Sequence, residues 1–207
     1  MREIKEIVKS REIDCLFHFT QLQNLESILE HGLLSRNSME RVGAVGEIND
    51  PYRFNGQLGA ISCSIWSPNY KLFYRLRKND ETKNWIVLVL KKKVLWNKPC
   101  AFCKTNAANN DESSIPLQDR QSPGALLRMF EEVEGKPSRE ALKLSESCPT
   151  DPQAEVLVLD DVEPRFIVGA LTSSKAIEIE LKQKYPEFQF HYNRAFFLAR
   201  NDYEHWR

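Results

Sequence analysis

The sequence predicts an α+β domain with mostly antiparallel strands, and three observations carry that prediction. A helix, a strand and a second helix open the chain, and several strands follow, separated by long irregular loops. No regular strand–helix–strand alternation runs through the 207 residues. No glycine-rich turn joins a strand to a helix, which argues against the doubly wound dinucleotide fold and the P-loop fold. The length suits a single domain over residues 1–207.

Each element has a local reason. An amphipathic helix over about Arg2 to Lys9 carries Ile4 and Val8 on one face. Cys15-Leu-Phe-His-Phe-Thr20 follows as a strand, with His18 and Thr20 on one side of it. Thr20-Gln-Leu-Gln23 matches the reciprocal capping box and predicts a helix beginning at Thr20. Leu22, Leu25, Ile28 and Leu29 mark its buried face, and Gly32 stands where a left-handed cap would end it. Ser35 to Gly59 is polar and glycine-rich, too long for a plain connection, and reads as a functional loop.

Ala60 to Ile65 alternates as a strand, Ser67-Pro68 opens a short helix through Tyr70, Phe73 and Tyr74, and Trp85 to Leu90 reads as a buried strand. Between Lys98 and Pro152 the pattern predicts one helix, around Ala125 to Glu134, amid loop-forming clusters. Strands are predicted at Ala154 to Leu159 and Phe166 to Leu171, a helix at Ser174 to Lys184, and closing strands at Phe188 to Tyr192 and Phe196 to Ala199.

Twenty-nine basic residues balance twenty-nine acidic ones, which excludes a constitutive polyanion coat protein. The balance is between segments. Lys71 to Lys104 holds ten basic and two acidic residues, net +8, and Thr105 to Glu163 holds five basic and thirteen acidic, net −8. The basic stretch is interleaved with Tyr70, Phe73, Tyr74, Trp85, Trp96 and Phe102, the composition a single-stranded nucleic-acid groove needs. A lysine-rich solvated face beside ordinary core aromatics has the same composition.

No run of eighteen apolar residues and no signal-like N-terminus is present, so the expectation is a soluble, unexported, cytoplasmic protein with no membrane contact. Five scattered cysteines, at 15, 63, 100, 103 and 148, fit a reducing compartment. Cys100 and Cys103 have the spacing of a zinc knuckle or redox pair, but no second pair stands at ligand spacing, and no metal is expected.

Glu155 sits in Pro152-Gln-Ala-Glu-Val-Leu-Val-Leu159, where its neighbours mark a buried strand. A carboxylate there either faces water at a sheet edge or is a fixed acid for a ligand hydroxyl or a developing cation. His18, between Phe17 and Phe19, is either a satisfied core histidine or a site residue. Thr20 adds a second polar group on the same strand face, and Arg53, in the first long loop, has the chemistry to clamp a pyrophosphate.

Four blocks then stand in order: Leu16-Phe-His-Phe-Thr-Gln-Leu-Gln-Asn-Leu-Glu-Ser-Ile-Leu-Glu-His-Gly-Leu-Leu-Ser35, Ile61-Ser-Cys-Ser-Ile-Trp-Ser-Pro-Asn-Tyr-Lys-Leu-Phe-Tyr74, Cys100-Ala-Phe-Cys-Lys-Thr-Asn-Ala-Ala108 and Pro149-Thr-Asp-Pro-Gln-Ala-Glu-Val-Leu-Val158. As an ordered set they resemble the DarT toxins, NAD-dependent ADP-ribosyltransferases that modify bases in single-stranded DNA. The resemblance implies an ADP-ribosyltransferase-like fold, with two small mostly antiparallel sheets, flanking helices and a central NAD cleft. It implies NAD as co-substrate, single-stranded DNA as acceptor and a cognate antitoxin that removes ADP-ribose from DNA.

Carried over residue by residue, the resemblance makes Glu155 and Arg53 catalytic and places His18, Phe19, Thr20, Leu34, Arg53 and Tyr70 around the cofactor. Asn106, Lys71, Arg75 and Arg77 become strand or base contacts. Ile48-Asn-Asp-Pro-Tyr-Arg53 departs from the arginine-rich version of the family's loop, and Arg41 is the alternative to Arg53. The wording Pro68-Asn-Tyr70, Cys100-Ala-Phe-Cys103 and Pro149 to Glu155 is closer to the guanine-directed branch than to the thymine-directed one. Two other classes are compatible with these residues: a transferase of the same fold acting on RNA, protein or a 2′-phosphate, and a non-catalytic nucleic-acid-binding module. Zinc hydrolysis is opposed by four isolated histidines.

Overall fold

The structure is a computed structural model that describes residues 2–35, 38–40 and 59–207. Seven strands form one sheet: β1 (Cys15–Gln21), β2 (Ile61–Ile65), β3 (Trp85–Lys91), β4 (Cys100–Cys103), β5 (Glu155–Val158), β6 (Ile167–Thr172) and β7 (Gln189–Tyr192). Their spatial order is β4-β5-β2-β1-β3-β6-β7. Around the sheet lie α1 (Arg2–Ser10), α2 (Leu25–His31), α3 (Tyr70–Asn79), α4 (Val94–Asn97), α5 (Asn110–Ser114), α6 (Pro123–Arg128) and α7 (Lys175–Lys184).

The expected two sheets are present as two halves of this one sheet. β1 and β3 pair along seven residues, from Cys15 opposite Lys91 to Gln21 opposite Trp85. β1 and β2 pair at two positions, Leu16 opposite Ile65 and Phe17 opposite Ser64. Continuing that register would pair His18 with Cys63, Phe19 with Ser62 and Thr20 with Ile61. The strands part before those pairs form, and the sheet opens between them. One half is β4-β5-β2 and the other β1-β3-β6-β7. All pairings are antiparallel except β6 with β7, which is parallel.

The main core lies on the face of Leu16, Ile86, Leu88, Cys63 and Val156 and is closed by α1 through Ile4 and Val8. Those two residues are four apart, one above the other on the helix face. The opposite face carries an aromatic cluster of Phe17, Phe73, Trp85 and Phe197, in which Phe19 stacks on Phe73 with centroids 4.5 Å apart. Asn69 starts α3 by accepting the Leu72 N–H on its side chain.

Several local expectations are corrected. The helix does not start at Thr20: the strand runs on to Gln21, one 3-10 turn spans Leu22–Asn24, and α2 begins at Leu25. Asn24 donates its amide to the Thr20 hydroxyl at 3.0 Å, so Thr20 is held by a side chain instead of capping a backbone. The helix expected at Ala125 to Glu134 is shorter and ends at Arg128. Phe196 to Ala199 is not a strand; a 3-10 turn spans Arg194–Phe197 and adds aromatic rings to the α3 face. Cys100–Cys103, read as part of an irregular region, is the edge strand β4.

Gly32 ends α2 as expected, with φ +85°. A Cβ there would lie 2.2 Å from the Val162 carbonyl oxygen. That close approach forms the isolated bridge between Leu33 and Val162, and Ser35 N–H donates to Asp161 at 2.7 Å just beyond it.

Candidate active site

Glu155 is the first residue of β5, the strand between β4 and β2. The turn that delivers it is pinned by two arginines. Arg139 donates to the carbonyls of Ser145 and Cys148 and to the Thr150 hydroxyl. Buried Arg200 donates to the carbonyls of Pro149 and Thr150 and to both oxygens of Asp202. Asp151 then accepts the Gln153 N–H at 2.7 Å and closes the turn. A segment with no strand or helix of its own is thereby fixed by charge-assisted bonds.

Glu155 is 5 % exposed, so its carboxylate requires partners. Oε1 accepts the Ser62 hydroxyl at 3.0 Å and Oε2 accepts the Ala107 N–H at 2.9 Å. The edge-strand reading, a glutamate facing water, does not hold. Ser62 comes from β2, and Ala107 comes from the loop after β4. The same loop is braced by Asn106, whose side chain accepts the Ala108 N–H at 2.8 Å.

His18 stands where β1 and β2 separate. Its Nδ1 lies 2.8 Å from the carbonyl oxygen of Ser62. A carbonyl can only accept, so Nδ1 carries the proton, and in the neutral ring Nε2 is an acceptor. Histidine, serine and glutamate are therefore linked in one chain of contacts across the opening. Thr20 lies two residues further along the same strand face, buried and bonded to Asn24. Phe19 points to the other face, against Phe73.

The remaining expected residues are distributed more widely. Leu34 is half-buried next to the Leu33–Val162 bridge, at the edge of the described segment. Arg53 and Arg41 lie outside the described residues. Tyr70 opens α3, and burial, then the nearby Asp202 carboxylate, pushes its phenol pKa above the ordinary value. Lys71 is half-buried and Arg75 exposed on α3. Arg77 is more constrained: it donates to the Phe197 carbonyl at 2.6 Å and lies over the Phe73 ring. Burial lowers its pKa below the ordinary value.

The basic aromatic stretch divides accordingly. Phe73, Trp85 and Phe102 are buried in the cores, and Tyr74 is 57 % exposed. Lys98 pairs with Asp160 and Glu163 at 3.0 Å each, and Lys104 with Glu131 at 3.5 Å. Part of the +8 segment is thus neutralised by the −8 segment in space, while α3 carries Lys71, Arg75, Arg77 and Lys78, the last paired with Glu81 at 2.7 Å. Cys100 packs in the main core and Cys103 in a smaller one beneath the Ala107 loop. Three residues apart on a strand, they face opposite ways.

Ser62, Ala107, Asn24 and Arg200 are site-forming residues that sequence reasoning did not single out. Ser62 had a signal: in Ile61-Ser-Cys-Ser-Ile65 a hydroxyl recurs on one strand face. Ala107 contributes through its backbone and had none.

A family model described as "DarT: ssDNA thymidine ADP-ribosyltransferase, DarT" matches residues 17–197. Among solved structures, Thermosipho africanus DarTG in complex with ADP-ribose is similar with a TM-score of 0.62 and 18 % identity, over 91 % of this chain and 52 % of that one. This chain therefore spans about half the length of that relative. Thermus sp. 2.9 DarT in complex with NAD+ gives a TM-score of 0.55 at 14 % identity, over 90 % of this chain and 98 % of that one. The same protein in complex with ADP-ribosylated ssDNA gives 0.57 at 14 %, over 90 % and 97 %. At these identities the likeness is one of fold. No curated protein matches the chain.

Proposed function

Because the chain belongs to the DarT family of single-stranded DNA ADP-ribosyltransferases, we propose that it transfers ADP-ribose from NAD to a nucleobase of single-stranded DNA, releasing nicotinamide. One observation carries the reading. A buried carboxylate, Glu155, is held by Ser62 and Ala107 beside the point where β1 and β2 part and His18 bonds the Ser62 carbonyl. The structures of Thermus sp. 2.9 DarT in complex with NAD+ and with ADP-ribosylated ssDNA support it.

The residues suit a ribose. Cleavage of a ribosyl–nicotinamide bond places positive charge on the sugar, and Glu155, fixed in orientation by two donors, is preorganised to stabilise that charge without rearranging. The acceptor base must lose a proton to become a good nucleophile, and Glu155 or a neighbour takes it. His18 stands at the same opening, with Nδ1 committed to the Ser62 carbonyl. A base reaches such a cleft only when unstacked, which favours a single strand.

Guanine is the proposed base, on the wording of the Pro68, Cys100 and Pro149 blocks, although the matching family model is described by thymidine. A cognate antitoxin is proposed as partner, in keeping with the relative titled DarTG. NAD is supplied with four single-stranded oligonucleotides, each lacking one base, beside RNA and protein acceptors, and products are weighed. ADP-ribose on every DNA except the guanine-free one is expected, and none with Glu155→Gln. Adducts on the guanine-free strand would reassign the base; no adduct on any DNA would overturn the reading.

A further inference from the structure

A cavity of about 270 Å³ opens at the C-terminal end of α3. Its walls include Tyr74, Trp85 and Phe197, and the cations Arg77, Lys78 and Lys83 against one carboxylate, Glu81. Two of its lining residues carry buried donors with no partner, Trp85 Nε1 and Arg77 Nε. Lys78 pairs with Glu81 at 2.7 Å and Lys83 lies 4.0 Å from Asp80, and flat rings beside such cations suit one class of occupant, a nucleotide.

The strand register relates this cavity to Glu155. Residues opposite each other in antiparallel strands share a sheet face, as do alternate residues in one strand. Trp85 is opposite Gln21, and Gln21 alternates to Phe19 and Phe17. Phe17 is opposite Ser64, which alternates to Ser62, and Ser62 is opposite Leu157, which alternates to Glu155. Cavity and carboxylate therefore lie on one face, three strand spacings or roughly 14 Å apart across the sheet and four residues or roughly 13 Å apart along it. α3 packs on that face, and its ten residues span a similar length, about 15 Å. Near its start, Tyr70 lies within the field of Asp202, Arg200 and Asp151, beside the turn that delivers Glu155. At its far end are Tyr74, Arg77 and Lys78, on the cavity. Arg75 is exposed and Lys71 half-exposed on the way.

We propose that this cavity is a second nucleotide-binding position, which takes a flanking nucleotide of the DNA strand along α3 while another nucleotide is presented to Glu155. The inference rests on the proposed DNA substrate and adds an anchor away from the chemistry. Tyr74 supplies the exposed stacking surface, and a phosphate there would share Lys78 with Glu81 and Lys83 with Asp80. Arg77 forms the wall, already pinned to Phe197.

A decanucleotide carrying 5-iododeoxyuridine, irradiated with the protein and digested, is expected to cross-link at Tyr74 or Trp85. Tyr74→Ala and Lys83→Glu, with unchanged thermal midpoints, are expected to weaken decanucleotide binding by about 10-fold each. Unchanged affinity in both variants, or cross-links confined to other residues, would overturn the proposal. So would AMP binding as tightly as the decanucleotide, which would make the cavity a site for free nucleotides. Failure of the transfer reading looks different: the strand would bind and cross-link at the cavity, yet gain no mass with NAD.

Discussion

His18 Nδ1 lies 2.8 Å from the carbonyl oxygen of Ser62, and this contact stands where the β1–β2 ladder ends. A side chain thereby satisfies a backbone acceptor near the parting of the strands. The same serine gives its hydroxyl to Glu155. Backbone and side chain of one residue thus connect the opening of the sheet to the orientation of its carboxylate.

Ser62→Ala tests the second of these bonds. The backbone acceptor for His18 is retained, and Glu155 keeps the Ala107 N–H but loses a donor. We expect kcat to fall by about 10-fold with little change in KM for NAD, since one donor to a preorganised charge is lost. Steady-state kinetics with labelled NAD would read this directly, and an unchanged kcat would remove Ser62 from the machinery.

Gly32→Ala should be costly for a backbone reason. The positive φ disfavours any Cβ, and that Cβ would meet the Val162 oxygen at 2.2 Å. A loss of about 2–4 kcal/mol is expected in urea unfolding. Gly124→Ala is the contrast: its Cβ meets only the Ser122 hydroxyl within 4 Å, at 3.7 Å, and a helical alanine should be neutral or stabilising. Equal effects at the two positions would contradict the geometry.

Asp202 predicts an acid limb. Burial pushes its carboxyl up, but the bonds from Arg200 and Trp206 outweigh burial and hold it below the ordinary 3.8. A folded-state pKa below the unfolded one gives stability that is present above the unfolded value and lost as pH falls through the folded one. Thermal midpoints of the parent and Asp202→Asn should therefore differ at neutral pH and converge below about pH 3.8. A difference independent of pH would mean that packing, not charge, is what Asp202 contributes.

Cys100 and Cys103 should be inert in the native protein. Burial pushes each thiol up to about 12, and the Arg120 contact to Cys103 does not offset it. Iodoacetamide at mildly alkaline pH, followed by mass spectrometry, should leave both unmodified until the protein is unfolded. Zinc should leave the thermal midpoint unchanged. Native alkylation of either would be evidence against their burial.

Much of this was legible in the sequence where a residue contradicted its neighbours. Glu155 stood out as a carboxylate in an apolar run, and the structure gives it the partners such a position demands. Gly32 was legible because a helix stops there. The helix start was not, because Thr20 and Gln23 have the side chains of a capping box while Asn24, one residue later, captures the Thr20 hydroxyl. The groove reading rests on composition, which is blind to direction: spacing alone does not show that Phe73 and Trp85 turn inward while Tyr74 turns out. Nor does it show that Lys98 and Lys104 meet their counter-ions from another segment. Ala107 contributes a backbone N–H, which no residue pattern announces.

The two-residue seam between β1 and β2 has a mechanical meaning. The two halves of the sheet meet at the register pairs Leu16–Ile65 and Phe17–Ser64, and the described strands pair across the divide at no other point. A sheet usually resists shear through many parallel bonds; here that resistance is concentrated beside His18. Anything that tightens or frees this short seam alters the aperture to Glu155 and the cohesion of the whole sheet together.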